Sequence, residues 1–126
     1  CFALWGLAFK PGTDDMREAT SRVVMEALWQ RGATLSVYDP VAMEETKKIY
    51  GERGDLIYAK NSQDALNNSD ALIIVTEWMD FKNPDFIQIK RRLKNPIIFD
   101  GRNMFELDEM KAHHFEYYAV GRGQAL

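Results

Sequence analysis

The sequence predicts an α/β fold in which about six parallel strands form a doubly wound sheet with helices on both faces. Three observations carry this prediction. Short apolar runs of strand length alternate with segments of helical period, the connections between them are short, and no repeat or linker interrupts the chain. Such alternation builds right-handed strand–helix–strand units with parallel strands. Six strands in this rhythm favour the order 3-2-1-4-5-6 of Rossmann-like folds.

The first strand and the first helix are predicted at the amino end of the chain. Phe2–Phe9 is almost entirely apolar, which is typical of a strand buried on both faces. An apolar stripe of helical spacing follows, formed by Val23, Val24, Ala27 and Leu28. Asp15 and Glu18 have the spacing of a capping box, although the helix could begin as late as Ser21. Gly32 is placed to end it.

The second strand is predicted at Thr34–Tyr38 and is followed by an acidic residue and a proline, Asp39 and Pro40. An acid before proline is a typical start for a helix, here one that extends to about Tyr50. An acid at the end of the second strand can also bind the ribose of a dinucleotide. We favour the helix cap.

The remaining elements continue the alternation. Strands are predicted at Asp55–Ala59, Ala71–Thr76, Pro96–Asp100 and Phe115–Val120. Short helices are predicted at Ser62–Asn67 and from Leu107 to about His113. Another helix is expected to start at Asn83 and Pro84, with an apolar stripe formed by Phe86, Ile89 and Leu93.

Length and charge limit the functions open to this chain. Its 126 residues correspond to one domain, 1–126, without room for both the cofactor and the substrate domain of a complete oxidoreductase. A net charge of −3 provides no positive field for nucleic acid or an anionic membrane. No apolar run approaches the ~20 residues of a membrane span. A single cysteine excludes an internal disulfide and fits a reducing, cytoplasmic location.

Candidate binding residues follow the first, fourth and fifth strands, whose carboxyl ends should meet at the switch point of the sheet. Three cations belong to these loops: Lys10, Arg17 and Arg102. Together with Gly12 and Gly101, which permit close backbone approach, they suit a phosphorylated ligand. Alternatively, these cations are solvated or pair with acids of the same loops, namely Asp14, Asp15 and Asp100. The alternation of predicted strands and helices leaves both interpretations open.

Other candidate sites are weaker. Gly6 and Gly12 do not form the G-x-G-x-x-G pattern of a nicotinamide dinucleotide site. Trp78 and Phe81 could stack a base or could cover the edge of the sheet. The adjacent histidines, His113 and His114, and the basic cluster at Lys90, Arg91, Arg92 and Lys94 fit a helix terminus and a solvated helix face. We therefore expect no metal site and no catalytic residue, Cys1 included.

Several motifs closely resemble the C-terminal, UDP-binding domain of nucleotide-sugar dehydrogenases, the UDP-glucose/GDP-mannose dehydrogenase family. The resemblance extends over nearly the whole chain, and its first motif is long and specific. The matching stretches are Gly6 to Pro11, Thr13 to Glu18, Tyr38-Asp39-Pro40, Thr76-Glu77-Trp78 with Phe81, Asp100-Gly101-Arg102-Asn103, and Tyr117-Tyr118 to Gly121-Arg122-Gly123. One departure is Thr20, where the family commonly has a proline that fixes the helix start.

The resemblance implies an activity and a role for each matching residue. The tryptophan after Thr76-Glu77 and the Asp-Gly-Arg-Asn stretch point to the UDP-glucose branch rather than the GDP-mannose and UDP-N-acetylmannosamine branches. That branch oxidises UDP-glucose to UDP-glucuronate in two NAD-dependent steps through a cysteine thioester. Phe9, Lys10 and Arg102 match residues that contact the UDP-sugar. Arg17 matches an arginine that reaches the NAD pyrophosphate.

The same resemblance implies that this chain is only part of such an enzyme. The NAD-binding domain and the catalytic cysteine belong to an upstream region, and Cys1 does not match that cysteine. We therefore expect the chain to bind UDP without catalysing the oxidation. The full-length enzyme is expected to be a homodimer or larger, and the isolated chain a monomer.

Three alternatives to this function remain. A receiver-like signalling module has similar length and alternation, but it needs acids where Phe9-Lys10 and Lys60-Asn61 stand, and a lysine where Asp100 stands. The other two are another stand-alone nucleotide-binding domain and a pure interaction module.

Overall fold

The computed structural model describes residues 1–17 and 19–119, and the backbone of 123–125. Its centre is one seven-stranded sheet of order β3-β2-β1-β4-β5-β6-β7. The strands are β1 (Phe2–Trp5), β2 (Leu35–Tyr38), β3 (Leu56–Tyr58), β4 (Ala71–Ile74), β5 (Ile97–Asp100), β6 (Glu116–Ala119) and β7 (Gly123–Ala125). The first six are parallel, which confirms the predicted order 3-2-1-4-5-6. The antiparallel edge strand β7 was not predicted.

Five helices connect the strands. They are α1 (Thr20–Gln30), α2 (Met43–Tyr50), α3 (Ser62–Leu66), α4 (Phe86–Arg92) and α5 (Leu107–Ala112), with one 3₁₀ turn at Met79–Phe81. Right-handed crossovers place α1 and α2 on one face of the sheet and α3, α4 and α5 on the other. The layers enclose a core of strand residues without solvent exposure, among them Leu4, Leu35, Leu72 and Ile98.

The first strand is shorter than predicted because of Gly6. Its φ of +97° lies in the left-handed region, and an added Cβ would stand 2.5 Å from the Cβ of Thr76. Only glycine fits this turn. The chain therefore leaves the sheet after Trp5 and forms a long loop that ends at Ala19.

For α1, the capping-box start is wrong, the later start near Ser21 is within one residue of the observed one, and part of the predicted inward face is exposed. The helix begins at Thr20, and Ala19 precedes it without a side-chain cap. Asp15 accepts from the backbone of Arg17 instead, and Glu18 lies outside the described residues. The buried residues are Ser21 and Met25, with Val24 and Leu28 partly buried, whereas Val23 and Ala27 face solvent.

Both predicted proline-linked helix starts are wrong by a few residues. Helix α2 begins at Met43, after Ala42 rather than after Asp39. Helix α4 is capped by Asp85, whose Oδ1 accepts from two backbone amides, whereas Asn83 adopts a φ of +52°. The apolar stripe predicted for α4 is buried, as expected.

Candidate functional site

The loops after β1, β4 and β5 lie together at the carboxyl edge of the sheet, as predicted. Thr76 Oγ1 donates a hydrogen bond of 2.6 Å to the carbonyl oxygen of Ala8, which joins the loops after β4 and β1. The amide of Gly101 donates to the carbonyl oxygen of Ile74 at 2.8 Å, which joins the loop after β5 to the end of β4. An added Cβ on Gly101 would stand 3.0 Å from that oxygen, so this approach favours glycine.

Asp39 organises this edge from the end of β2. Its Oδ2 accepts from the amides of Leu7 and Ala8 at 2.7 and 3.0 Å and from the Trp78 indole at 2.9 Å. Its Oδ1 accepts from Val41 and Ala42, both at 2.8 Å. The residue is 1% exposed. Asp39 is therefore neither the N-cap of α2 nor an acid that is available for a ribose.

Asp100 plays the equivalent part at the end of β5. Its Oδ1 accepts from the backbone amide of Arg102 at 3.0 Å. Its Oδ2 accepts from the amides of Met104 and Phe105 and, at 2.6 Å, from the hydroxyl of Tyr117. The carboxylate holds the loop that carries Arg102 and does not pair with the guanidinium group, contrary to one of the alternatives from the sequence.

Phe9 and Lys10 extend from the loop after β1 into solvent. Phe9 is 44% exposed, and the Lys10 Nζ lies 5.5 Å from the centre of its ring, within the range of a cation–π contact. A hydrogen bond of 2.9 Å from the Phe9 amide to the Asp15 carbonyl closes the loop behind them. Among the described residues, Lys10 makes no ion pair, so its charge can meet a ligand.

Arg17 pairs with Asp15, which agrees with the alternative that the cations pair with acids of the same loops. Its Nε and Nη2 donate to the two carboxylate oxygens at 3.1 and 2.9 Å, and its amide donates to Oδ1. These hydrogen bonds lower the pKa of Asp15 from 3.8 to about 2. The pair borders an open cleft of about 640 Å³ between this loop and α2, with Arg22 and Glu45 also in its wall.

Arg102 pairs with Glu77, a residue that sequence reasoning had not singled out as its partner. Its Nε donates to Oε2, and its Nη2 donates to Oε1 at 3.1 Å. The guanidinium group lowers the pKa of Glu77 chiefly through these hydrogen bonds, and Glu77 raises the pKa of Arg102 in turn. A signal was present in the sequence, since Glu77 follows β4 and Arg102 follows the adjacent β5.

Trp78 and Phe81 are not available to stack a base. Trp78 is 8% exposed and Phe81 is fully buried. The Phe81 ring stacks on Trp5 with their centres 5.0 Å apart. Both aromatic residues cover the sheet edge, which was the second of the two interpretations from the sequence.

The remaining candidates lie away from this edge. His113 ends α5 and its ring lies 5.1 Å from that of Phe86, while Lys90 Nζ donates to the His113 carbonyl. Within 1–17 and 19–119, no three His, Cys, Asp or Glu side chains are grouped closely enough to hold a metal ion. No helix in that part of the chain has the length and apolar character needed to cross a membrane. The Gly121-Arg122-Gly123 stretch of the family resemblance lies outside the residues whose side chains the structure describes.

Comparison with known proteins shows what this chain is similar to. Residues 3–107 match the model of the UDP-glucose/GDP-mannose dehydrogenase family, UDP binding domain. The chain is 42% identical over 126 residues to a UDP-glucose 6-dehydrogenase of Pseudomonas aeruginosa, covering 98% of this chain and 28% of that protein. A UDP-glucose 6-dehydrogenase of Bacillus subtilis is 42% identical over 120 residues, 95% of this chain and 27% of its own length.

The likeness extends to solved structures. A UDP-glucose dehydrogenase from the archaeon Pyrobaculum islandicum superposes with a TM-score of 0.73 at 31% identity, covering 94% of this chain and 24% of the archaeal one. This chain thus spans little more than a quarter of the length of the curated relatives it matches.

Proposed function

Because this chain belongs to the UDP-glucose/GDP-mannose dehydrogenase family and matches its UDP binding domain, we propose that it binds the UDP part of UDP-glucose. The reaction proposed for the whole protein is the NAD-dependent oxidation of UDP-glucose to UDP-glucuronate. Both relatives reported above carry the name UDP-glucose 6-dehydrogenase.

The observation that supports this proposal is that two cationic residues lie in loops that meet at one edge of the sheet. Lys10 follows β1 and Arg102 follows β5, and hydrogen bonds through Thr76 and Gly101 hold both loops against the end of β4. A diphosphate needs charge-assisted donors from more than one direction, which two loops can supply. In this proposal Lys10 and Arg102 bind the nucleotide sugar, and the exposed ring of Phe9 contacts it beside Lys10.

NAD is proposed as the cofactor, held mainly by a part of the dehydrogenase outside this chain. The residues present fit one contact with it, since the Arg17 side chain is 88% exposed on the loop after β1. The glycines of that loop, Gly6 and Gly12, do not form a dinucleotide cradle. When bound, NAD accepts the hydride. Arg17 would supply a guanidinium group to its pyrophosphate, and Asp15 would orient that group.

We further propose that this chain alone binds UDP without turnover, that it is monomeric, and that the full-length enzyme is a cytoplasmic homodimer or larger. A receiver-like module finds no support, because the family match and the relatives reported above are dehydrogenases. An assay with UDP-glucose and NAD that detects reduced cofactor above a blank would contradict the proposal of inactivity.

An amide NMR titration with UDP tests the binding proposal. The wild-type chain should show shifts near Phe9, Trp78 and Gly101. Lys10→Ala and Arg102→Ala should each weaken binding by about tenfold, the loss of one charge-assisted contact. Lys94→Ala is the matched control, because Lys94 is an exposed cation that precedes β5, at the opposite sheet edge. Absence of shifts, or equal binding by all four proteins, would refute the proposed site.

A further inference from the structure

Resting on the proposed UDP site, we infer that Glu77 is a positioning residue that holds the Arg102 guanidinium group side-on and leaves Nη1 as the donor for a phosphate or hydroxyl oxygen of the ligand. The carboxylate engages Nε and Nη2 of Arg102. Within the described residues, Nη1 donates to no protein acceptor. The ion pair therefore occupies the Nε and Nη2 edge of the guanidinium group and leaves Nη1 available.

The backbone on the Glu77 side is fixed by both of its neighbours. Thr76 is 1% exposed and donates to the Ala8 carbonyl. Trp78 is 8% exposed and donates its indole N–H to the Asp39 carboxylate. Glu77 therefore extends from a segment anchored immediately before and after it, while its own side chain is 34% exposed. Such a carboxylate can hold a partner in one place.

The backbone on the Arg102 side is fixed in the same way. The Gly101 amide donates to the Ile74 carbonyl, and the Arg102 amide donates to Asp100. The arginine side chain, 40% exposed, would otherwise sample many rotamers above this loop. A partner that already restrains the side chain reduces the entropy lost when a ligand binds.

Glu77 could instead weaken UDP binding. The sign of the change in UDP affinity when Glu77 is replaced distinguishes positioning from this opposite effect. A carboxylate next to a cationic site repels an anionic ligand and competes for the arginine. If repulsion or competition dominates, removing the charge tightens UDP binding. If positioning dominates, removing the charge weakens binding, because the guanidinium group loses its fixed orientation.

Two Glu77 variants distinguish charge from position. Glu77→Gln removes the charge and one strong acceptor, while Glu77→Asp keeps the charge but withdraws it by one methylene. Positioning predicts that both variants raise the Kd for UDP, by about three- to tenfold. Repulsion predicts a lower Kd for Glu77→Gln and an unchanged Kd for Glu77→Asp. Glu52→Gln is the control, since Glu52 is an exposed acid between α2 and β3, at the amino edge of the sheet.

Two further measurements separate positioning from a general structural role. The Arg102 Nε–H resonance of the ligand-free protein should lose its hydrogen-bonded shift in Glu77→Gln while the thermal midpoint stays within a few degrees. In an Arg102→Ala background, Glu77→Gln should change the Kd by less than twofold, because its effect passes through the arginine. An equal loss in both backgrounds would overturn the inference.

The failures of the two proposals are distinguishable. A wild-type chain that shows no UDP response refutes the proposed function, and this inference falls with it. A wild-type chain that binds UDP, weakened by Arg102→Ala but unchanged or tightened by Glu77→Gln, refutes the inference alone.

Discussion

The indole N–H of Trp78 donates a hydrogen bond of 2.9 Å to the Asp39 carboxylate, across 39 residues of sequence. The same carboxylate oxygen accepts from the amides of Leu7 and Ala8, directly before the exposed Phe9 and Lys10. One buried side chain thus ties the loop after β1 to the loop after β4. The relative position of the two loops depends on it.

We predict that Asp39→Ala destabilises the fold by about 3–5 kcal/mol, because four backbone amides and one indole lose a charged acceptor in a buried place. Urea unfolding of the wild-type chain and the variant measures this difference. Asp80→Ala is the control, since Asp80 is exposed and should change stability by less than about 0.5 kcal/mol. Equal effects of the two substitutions would show that Asp39 does not have this role.

Asp39 also shows why the topology is easier to predict than the site. Strand–helix rhythm is local information, and it was sufficient for the order of the six parallel strands. The local rule for an acid before proline predicts a helix cap. Three of the groups that donate hydrogen bonds to Asp39, however, belong to Leu7, Ala8 and Trp78. Those donors reach Asp39 only after the sheet has formed.

Glu77 and β7 were missed for related reasons. The pairing of Glu77 with Arg102 follows from the adjacency of β4 and β5, and acids closer to the cations in sequence had seemed the natural partners. The three residues of β7, Gly123–Ala125, are too short to show a strand periodicity, and their pairing depends on the edge that β6 presents.

Gly6→Ala should destabilise the protein by about 2–4 kcal/mol, because the added Cβ meets Thr76 and the backbone has a positive φ. Gly54→Ala provides a matched comparison, since nothing lies within 4 Å of the position that its Cβ would occupy and its φ is not positive. Measured by thermal unfolding, the midpoint should be lower than that of the wild-type protein only for Gly6→Ala. Equal midpoints for the two variants would show that position 6 tolerates a side chain.

The ion pair between Asp15 and Arg17 predicts an effect of pH at the acidic end. The hydrogen bonds from Arg17 lower the pKa of Asp15 from 3.8 to about 2, so the pair stabilises the loop above pH 4 and is lost as the pH falls from about 4 to about 2. An NMR titration of the Asp15 carboxyl carbon should show this midpoint.

Arg17→Ala should return the Asp15 midpoint toward its ordinary value, because the first cause of the shift is the side-chain hydrogen bond from Arg17. Arg31→Ala, which removes an exposed arginine that ends α1, should leave the midpoint unchanged. A midpoint near 4 already in the wild-type protein would show that the pair does not form in solution.

Arg102→Lys keeps the positive charge at the end of β5 but removes the planar fork that engages both oxygens of Glu77. A lysine acts as a point charge, so we expect UDP affinity to fall by about threefold, less than in Arg102→Ala, and the pKa of Glu77 to rise toward its ordinary value. Lys82→Ala is the comparison for the pKa, because Lys82 contributes the last and smallest of the influences that lower it. The Glu77 carboxyl carbon, followed by NMR from pH 2 to 7 without ligand, should therefore respond more strongly to Arg102→Lys than to Lys82→Ala. The reverse order would mean that the long-range field at Glu77, rather than the bidentate hydrogen bonds from Arg102, keeps its pKa low.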